Sequence, residues 1–185
     1  SIAMSHLRQT IERVAPTNSR IMISGPSGSG KELVARAIHA SSLRMDGPFV
    51  VLNAAAITPD RMEHELFGTE NGTGAARSVG ALEEAHGGTL YLDEIADMPR
   101  ETQGKILRVL IDQSFQRVNG TAKVNVDVRI ISSTARDLEH EISEGSFRED
   151  LFHRLSVVPL RVPALAERRD DVPELVNHFI EQISR

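Results

Sequence analysis

Five short apolar runs punctuate the chain: IMIS at 21–24, FVVLNA at 49–54, TLYLDE at 89–94, VDVRIIS at 126–132 and VVPLRV at 157–162. They are rich in β-branched residues. Most are continuously apolar rather than alternating, the pattern of strands buried on both faces. Between them the apolar positions recur at helical spacing. Leu33, Val34, Ala37 and Ile38 form one stripe, and Ile106, Leu107, Leu110 and Ile111 a second, with Pro99 at the first turn of that helix. Val172, Leu175, Val176, Phe179, Ile180 and Ile183 form a third, which closes the chain. Strand and helix alternate. The pattern therefore predicts an α/β fold, with a mostly parallel sheet of five strands.

Composition narrows the possibilities. The chain has 185 residues, 40% of them hydrophobic and 25% charged, as in one ordinary globular domain. A formal net charge of −5 argues against a surface devoted to gripping phosphate backbones. The absence of cysteine removes disulfides, thiolate metal sites and cysteine nucleophiles. No apolar run is long enough to span a membrane, and the N-terminus lacks a signal pattern, so the expected location is the cytoplasm. The opening Ser1–Met4 reads as an expression remnant, leaving a domain at 5–185.

The first run leads into Gly25-Pro26-Ser27-Gly28-Ser29-Gly30-Lys31-Glu32. A glycine-rich turn between a strand and a helix lets backbone N–H groups converge on phosphate oxygens, and the helix adds its positive end. Lys31 would reach the β- and γ-phosphates. The plainer alternative is a Gly/Ser-rich turn before an amphipathic helix, but strand, spacing and lysine together favour the phosphate loop. The third run ends in Asp93 and Glu94, at the strand edge where open α/β sheets place ligands. Asp93 suits a contact to water on Mg²⁺, and Glu94 suits polarisation of an attacking water. A solvated turn is the alternative for this acidic pair. Elsewhere, His64-Glu65 and His140-Glu141 lack the second histidine of a zinc motif, and no Gly-x-Ser-x-Gly elbow occurs.

Taken in order, GPSGSGKELVARAIH, FVVLNAAAI, ELFG, ALEEAHGGTLYLDEIADMP, KILRVL, FQRVNG, VDVRIISST and FREDLFHRL resemble the AAA+ ATPase domain of bacterial σ54-dependent activators, from about residue 5 to 185. The loop region resembles the nitrogen-regulation response regulators among them. The resemblance implies a three-layer αβα core that binds ATP or ADP with Mg²⁺. It makes Glu32 normal for the loop and rests the metal on Asp93 and water. It makes Asn53 the polar switch that holds Glu94, the alternative being a strand-end Asn capping a turn. Thr134 becomes the sensor of the γ-phosphate, although the neighbouring position is Ala135 where an Asn is usual. Arg148 and Arg154 become fingers that complete a neighbour's site, which implies a ring, usually a hexamer. The alternative is that Arg148 pairs with Glu144 or Asp150.

The resemblance also implies a longer protein with a receiver domain, a helical lid and a helix-turn-helix DNA reader. Its partners would be a cognate sensor kinase and, through that reader, DNA. The chain ends before the lid, so weak self-association and low hydrolysis are expected of it alone. One departure is informative. After ELFG the chain reads TENGTGAARSV, a few residues short of the usual loop and without its Phe-Thr tip. Gly72 and Gly74 keep this segment flexible. The departure predicts that the protein does not remodel σ54 polymerase in the usual way, the alternative being a weaker contact through Arg77. The competing functions are therefore an ATP-hydrolysing motor module and a nucleotide-responsive oligomerisation module with little hydrolysis. A DNA-binding module has little support within these residues.

Overall fold

The computed structural model describes residues 2–70 and 77–164. The third helical stripe, at 172–183, and Gly72 and Gly74 lie outside the described residues. A single parallel sheet organises the domain. Its strands, in chain order, are β1 (Ile21–Ser24), β2 (Phe49–Asn53), β5 (Thr89–Asp93), β8 (Arg129–Thr134) and β9 (Val158–Arg161), arranged β2-β5-β8-β1-β9. The hairpins β3 (Thr69–Glu70) with β4 (Arg77–Ser78), and β6 (Ser114–Gln116) with β7 (Lys123–Asn125), stand outside it.

Alternate residues of each strand face opposite sides. Ile21, Ile23, Tyr91, Ile131 and Leu160 pack against α1 (Ile2–Val14) and α2 (Lys31–Ala40). Met22, Leu90, Leu92 and Ile130 pack on the other face. There they meet α3 (Pro59–Phe67), α4 (Ala81–Glu84), α5 (Arg100–Asp112), α6 (Leu138–Ser143) and α7 (Glu149–Leu155). This is the expected three-layer arrangement. Each fully buried Leu or Ile side chain contributes roughly 1.5–3 kcal/mol relative to exposure, so the two clusters hold the layers together.

The structure differs from the expected pattern in four places. Ile2–Met4 belong to α1, and Met4 is buried with Leu7, Ile11 and Val14 along one helical stripe. Met4 thus belongs to the packed stripe of α1. The run at 126–132 becomes a strand only at Arg129 and continues to Thr134. Strand β2 is an edge strand, half-exposed over Phe49–Val51, rather than buried on both faces. Pro99 is the N-cap of α5, one residue before the first turn.

Arg129 fastens the first layer to the sheet. Its buried guanidinium donates to the carbonyls of Val14, Ala15 and Ser19, at 2.9, 2.8 and 3.0 Å. These include carbonyls that the end of α1 leaves without helical partners. Burial, and then the nearby Arg44, lower its pKa to about 10.

Candidate functional site

The loop between β1 and α2 turns tightly at the C-terminal edge of the sheet. Gly30 caps α2 at φ 91°, a left-handed conformation that a side chain disfavours. At Gly25 the limit is space, since a Cβ would lie 2.4 Å from the Val162 carbonyl oxygen. Lys31 is 8% exposed, and its Nζ donates to the Gly25 and Pro26 carbonyls at 2.8 and 2.9 Å. The ammonium therefore sits inside the loop whose amides precede α2. Burial lowers its pKa, while the charges of Glu94 and then Asp93 oppose that shift. Ser29 is buried in the same turn, its N–H donating to the Pro26 carbonyl. Pro26, Ser27 and Gly28 complete the turn, with Gly28 at positive φ.

The carboxylate of Glu32, unexpected beside a phosphate, is directed along its own helix. It accepts from Arg36 Nε at 3.3 Å, one turn on, with both side chains substantially exposed. The Glu32 side chain is thus engaged along its own helix rather than within the loop.

Opposite the loop, β5 ends at Asp93, and Glu94 follows at φ 54° and ψ 60°. A non-glycine residue there costs of order 1–3 kcal/mol and needs support from its surroundings. Thr134 Oγ1 donates to Glu94 Oε1 at 2.8 Å, and the Ala135 N–H donates to both carboxylate oxygens at 3.2 and 3.1 Å. Thr134 and Glu94 are thus brought together, and the backbone at Ala135 supplies a donor where a side-chain amide was expected. Asn53 lies beside Asp93 in the β2–β5 register, but its Oδ1 accepts from the Ala55 N–H at 3.0 Å. Here Asn53 caps its own turn, and Thr134 and Ala135 hold Glu94 in its place.

Sequence reasoning missed Ser133 and Tyr91. Ser133 Oγ donates to Asp93 Oδ1 at 2.9 Å and accepts from the Tyr91 hydroxyl at 2.7 Å. A signal existed: Tyr91 and Asp93, two apart on one strand, must share a face.

Asp93 is the expected contact to Mg²⁺. Among the described residues no cluster of three or more His, Asp or Glu side chains could hold a metal by itself. One carboxylate beside a phosphate loop still fits Mg²⁺, which keeps several waters and takes other oxygens from phosphate.

The two arginines belong to α7 and its N-cap, in the layer packed on the face of the sheet away from α2. Arg148 caps α7, and its backbone N–H donates to Gln103 Oε1 at 2.9 Å. Buried Gln103 also donates to the Met98 and Ser146 carbonyls, so it fixes where α7 begins. The Arg148 guanidinium forks onto Asp150, with Nε to Oδ1 at 3.1 Å and Nη2 to Oδ2 at 2.9 Å. That pairing is one of the two local ones expected, and it raises the Arg148 pKa. The Arg154 side chain is exposed, and its backbone carbonyl accepts from Arg20.

The loop after α3 is framed by an ion cluster. Arg117, in the β6–β7 turn, bonds Glu83 at 2.8 and 2.9 Å and Glu70 at 3.0 Å, tying together the two sides of the 71–76 segment. Arg77 stands 3.8 Å from Glu83 and is half-exposed.

Comparison with known proteins gives a consistent picture. Residues 1–161 match the model of the Sigma-54 interaction domain family. The chain is 68% identical over its whole length to the nitrogen assimilation regulatory protein NtrX of Azorhizobium caulinodans, covering 41% of that protein. It is 50% identical to the DNA-binding transcriptional regulator NtrC of Salmonella typhimurium, over 99% of the chain and 40% of the relative. Among solved structures it resembles NtrX from Brucella abortus in complex with ATP, with TM-score 0.88 and 74% identity, over 100% of this chain and 42% of that one. The P-loop NTPase domain of an Escherichia coli σ54 activator shares the fold, with TM-score 0.61 and 20% identity over 88% of this chain and 95% of that one. The chain thus spans about two-fifths of the length of the curated relatives.

Proposed function

Because the chain belongs to the family of Sigma-54 interaction domains, we propose that it is the ATP-binding and ATP-hydrolysing central module of a two-component transcriptional regulator. The observation that carries this reading is the convergence of Lys31, Asp93 and Glu94, whose charges act on one another at the mouth of a phosphate-type loop. The solved NtrX structures with ADP and ATP support it.

The loop amides and Lys31 would hold the phosphates, with Lys31 exchanging its bonds to Gly25 and Pro26 for phosphate oxygens. Asp93 would hold Mg²⁺ through water, and that ion would neutralise charge on the phosphates. Glu94 would accept a proton from the attacking water after leaving Thr134 and Ala135. Asn53, at the tip of β2, would be the switch that holds the Glu94 carboxylate and couples it to the nucleotide state. Thr134, released in turn, would face the γ-phosphate. Arg148 and Arg154 would enter the site of an adjacent copy in a ring.

The relatives' greater length supports a whole protein with a receiver domain, a helical lid and a helix-turn-helix reader around this domain, responding to a sensor kinase and binding DNA. The short segment between Glu70 and Arg77, without an aromatic tip, supports a regulator that does not remodel σ54 polymerase in the usual way.

One observation favours a second reading, nucleotide-responsive oligomerisation with little hydrolysis. Glu94 is engaged by Thr134 and Ala135 and must be freed before it meets water. Phosphate release by the longer protein, compared with its Glu94→Gln form, separates the two: equal background rates would remove the motor reading.

Nucleotide binding itself is tested by calorimetric titration with ATP. Charge-assisted hydrogen bonds of about 1.5–3 kcal/mol lead us to expect that Lys31→Ala weakens affinity roughly 10–100-fold. Unchanged affinity in a folded sample would end the proposal.

A further inference from the structure

The buried pair Tyr91 and Ser133 is unused by the steps above, yet it is wired to Asp93. Tyr91 and Ser133 are 0% exposed. Strand pleating sets Tyr91 and Asp93 on the same face of β5, and the β5–β8 register pairs Tyr91 with Ile131, bringing Ser133 alongside Asp93. The Tyr91 oxygen lies 2.7 Å from Ser133 Oγ, which lies 2.9 Å from Asp93 Oδ1.

Proton counting fixes the direction of this chain. An ionised carboxylate only accepts, so the single Ser133 proton goes to Asp93. Tyr91 must then donate its own proton to Ser133. The Glu94 N–H also points to Ser133 Oγ, at 3.4 Å. The one donor and both lone pairs of Ser133 are therefore engaged, which leaves its side chain a single orientation. Chained hydroxyls polarise one another and strengthen the terminal bond to the carboxylate. One Asp93 oxygen is locked to the sheet, and the other remains for water on a cation.

We propose that Ser133 and Tyr91 are positioning residues for Asp93, setting how well this site holds a divalent cation beside bound nucleotide. The proposal rests on the nucleotide-binding reading above and deepens it. Groups that orient a ligating side chain through hydrogen bonds commonly matter nearly as much as the ligand itself. The Tyr91 hydroxyl donates to Ser133, while its ring is already packed by stacking on Phe49.

The test uses Mn²⁺ as the probe, titrated onto the chain with ADP and followed by the electron paramagnetic resonance of free Mn²⁺. ADP affinity is measured separately in EDTA. Ser133→Ala is expected to weaken Mn²⁺ binding about 10–100-fold, and Tyr91→Phe by a smaller factor in the same direction. ADP affinity in EDTA is expected to stay within about twofold of the parent for both, because no phosphate contact is altered. If both variants hold Mn²⁺ as the parent does, the positioning role is wrong while the pocket stands. If metal and metal-free ADP binding fall together, the pair is merely structural and the proposal is overturned. Should Ser133→Ala fail to fold, Tyr91→Phe decides alone. A parent chain that binds no ADP would bring down both this inference and the reading beneath it.

Discussion

At the tips of β5 and β8, Asp93, Glu94, Ser133 and Thr134 are bonded across strands, whereas on α7 the two arginines face outward with little to hold them. Among the described residues the Arg148 guanidinium bonds Asp150 on its own helix, and the Arg154 guanidinium has no hydrogen bond or ion pair. The strand tips are built by tertiary contacts within one chain. The α7 rim is positioned just as firmly, through Gln103, but its charged groups are kept available. An exposed Arg–Asp pair is weak enough for a phosphate to displace. On the proposed reading, one region carries a site and the other carries what a site in another copy would lack.

The comparison breaks most visibly if the rim acts on its own chain. In the full-length regulator, Arg148→Ala and Arg154→Ala are each expected to lower ATP hydrolysis by roughly 10³-fold or more, with the ATP dissociation constant little changed. Steady-state phosphate release with calorimetry checks both. A loss of affinity equal to the loss of rate would place the arginines in ground-state binding.

A smaller effect is expected at the tip. Thr134→Val keeps the shape and removes the donor to Glu94. Hydrolysis should fall about tenfold, because the proposed bond from the Thr134 hydroxyl to the charged γ-phosphate is lost as well. A rise in rate would show instead that Thr134 merely restrains Glu94.

The smallest effect lies at the opposite end of β5. His39 Nδ1 is 2.8 Å from Thr89 Oγ1, and its Nε2 is 3.1 Å from the Gly47 carbonyl oxygen. Burial lowers its pKa, with the Gly47 hydrogen bond opposing and the charges of Arg129, Arg36 and Arg44 adding to the shift. The unfolded chain then takes up its proton first, below about pH 6.5, so this stability is present above that pH and lost as the pH falls toward the folded value. Melting temperature should drop by a few degrees between about pH 7.5 and 5.5, and the His39→Gln chain should show a flatter profile. Equal slopes would rule His39 out as the sensitive group.

The fold was legible where burial writes a continuous apolar run. β1 and β5 fall within a residue of their expected bounds because both their faces are covered, and the edge strand β9 also keeps its bounds within a residue. β8 starts three residues later than its apolar run, at Arg129, and ends at the buried polar Ser132, Ser133 and Thr134. α1 was obscured by setting aside its first turn, although Met4, Leu7, Ile11 and Val14 carry the helical spacing. At the site, the loop, Lys31, Asp93 and Glu94 were readable because phosphate chemistry fixes residue types in order. The partner of Glu94 was not, since whether Asn53 turns to Ala55 or to Glu94 is a matter of rotamer rather than of pattern. The Arg148–Asp150 fork was readable from proximity, but the buried Gln103 that sets its helix was hidden in an otherwise polar first turn of α5.

Mixing two inactive forms of the full-length protein addresses the division between tip and rim most directly. Glu94→Gln copies retain the arginines, and Arg148→Ala copies retain the tip. Combined in equal amounts at concentrations that favour assembly, they should recover hydrolysis well above either form alone, because some interfaces join an intact tip to an intact rim. A mixture that releases phosphate no faster than the average of its two components would contradict a site completed between copies.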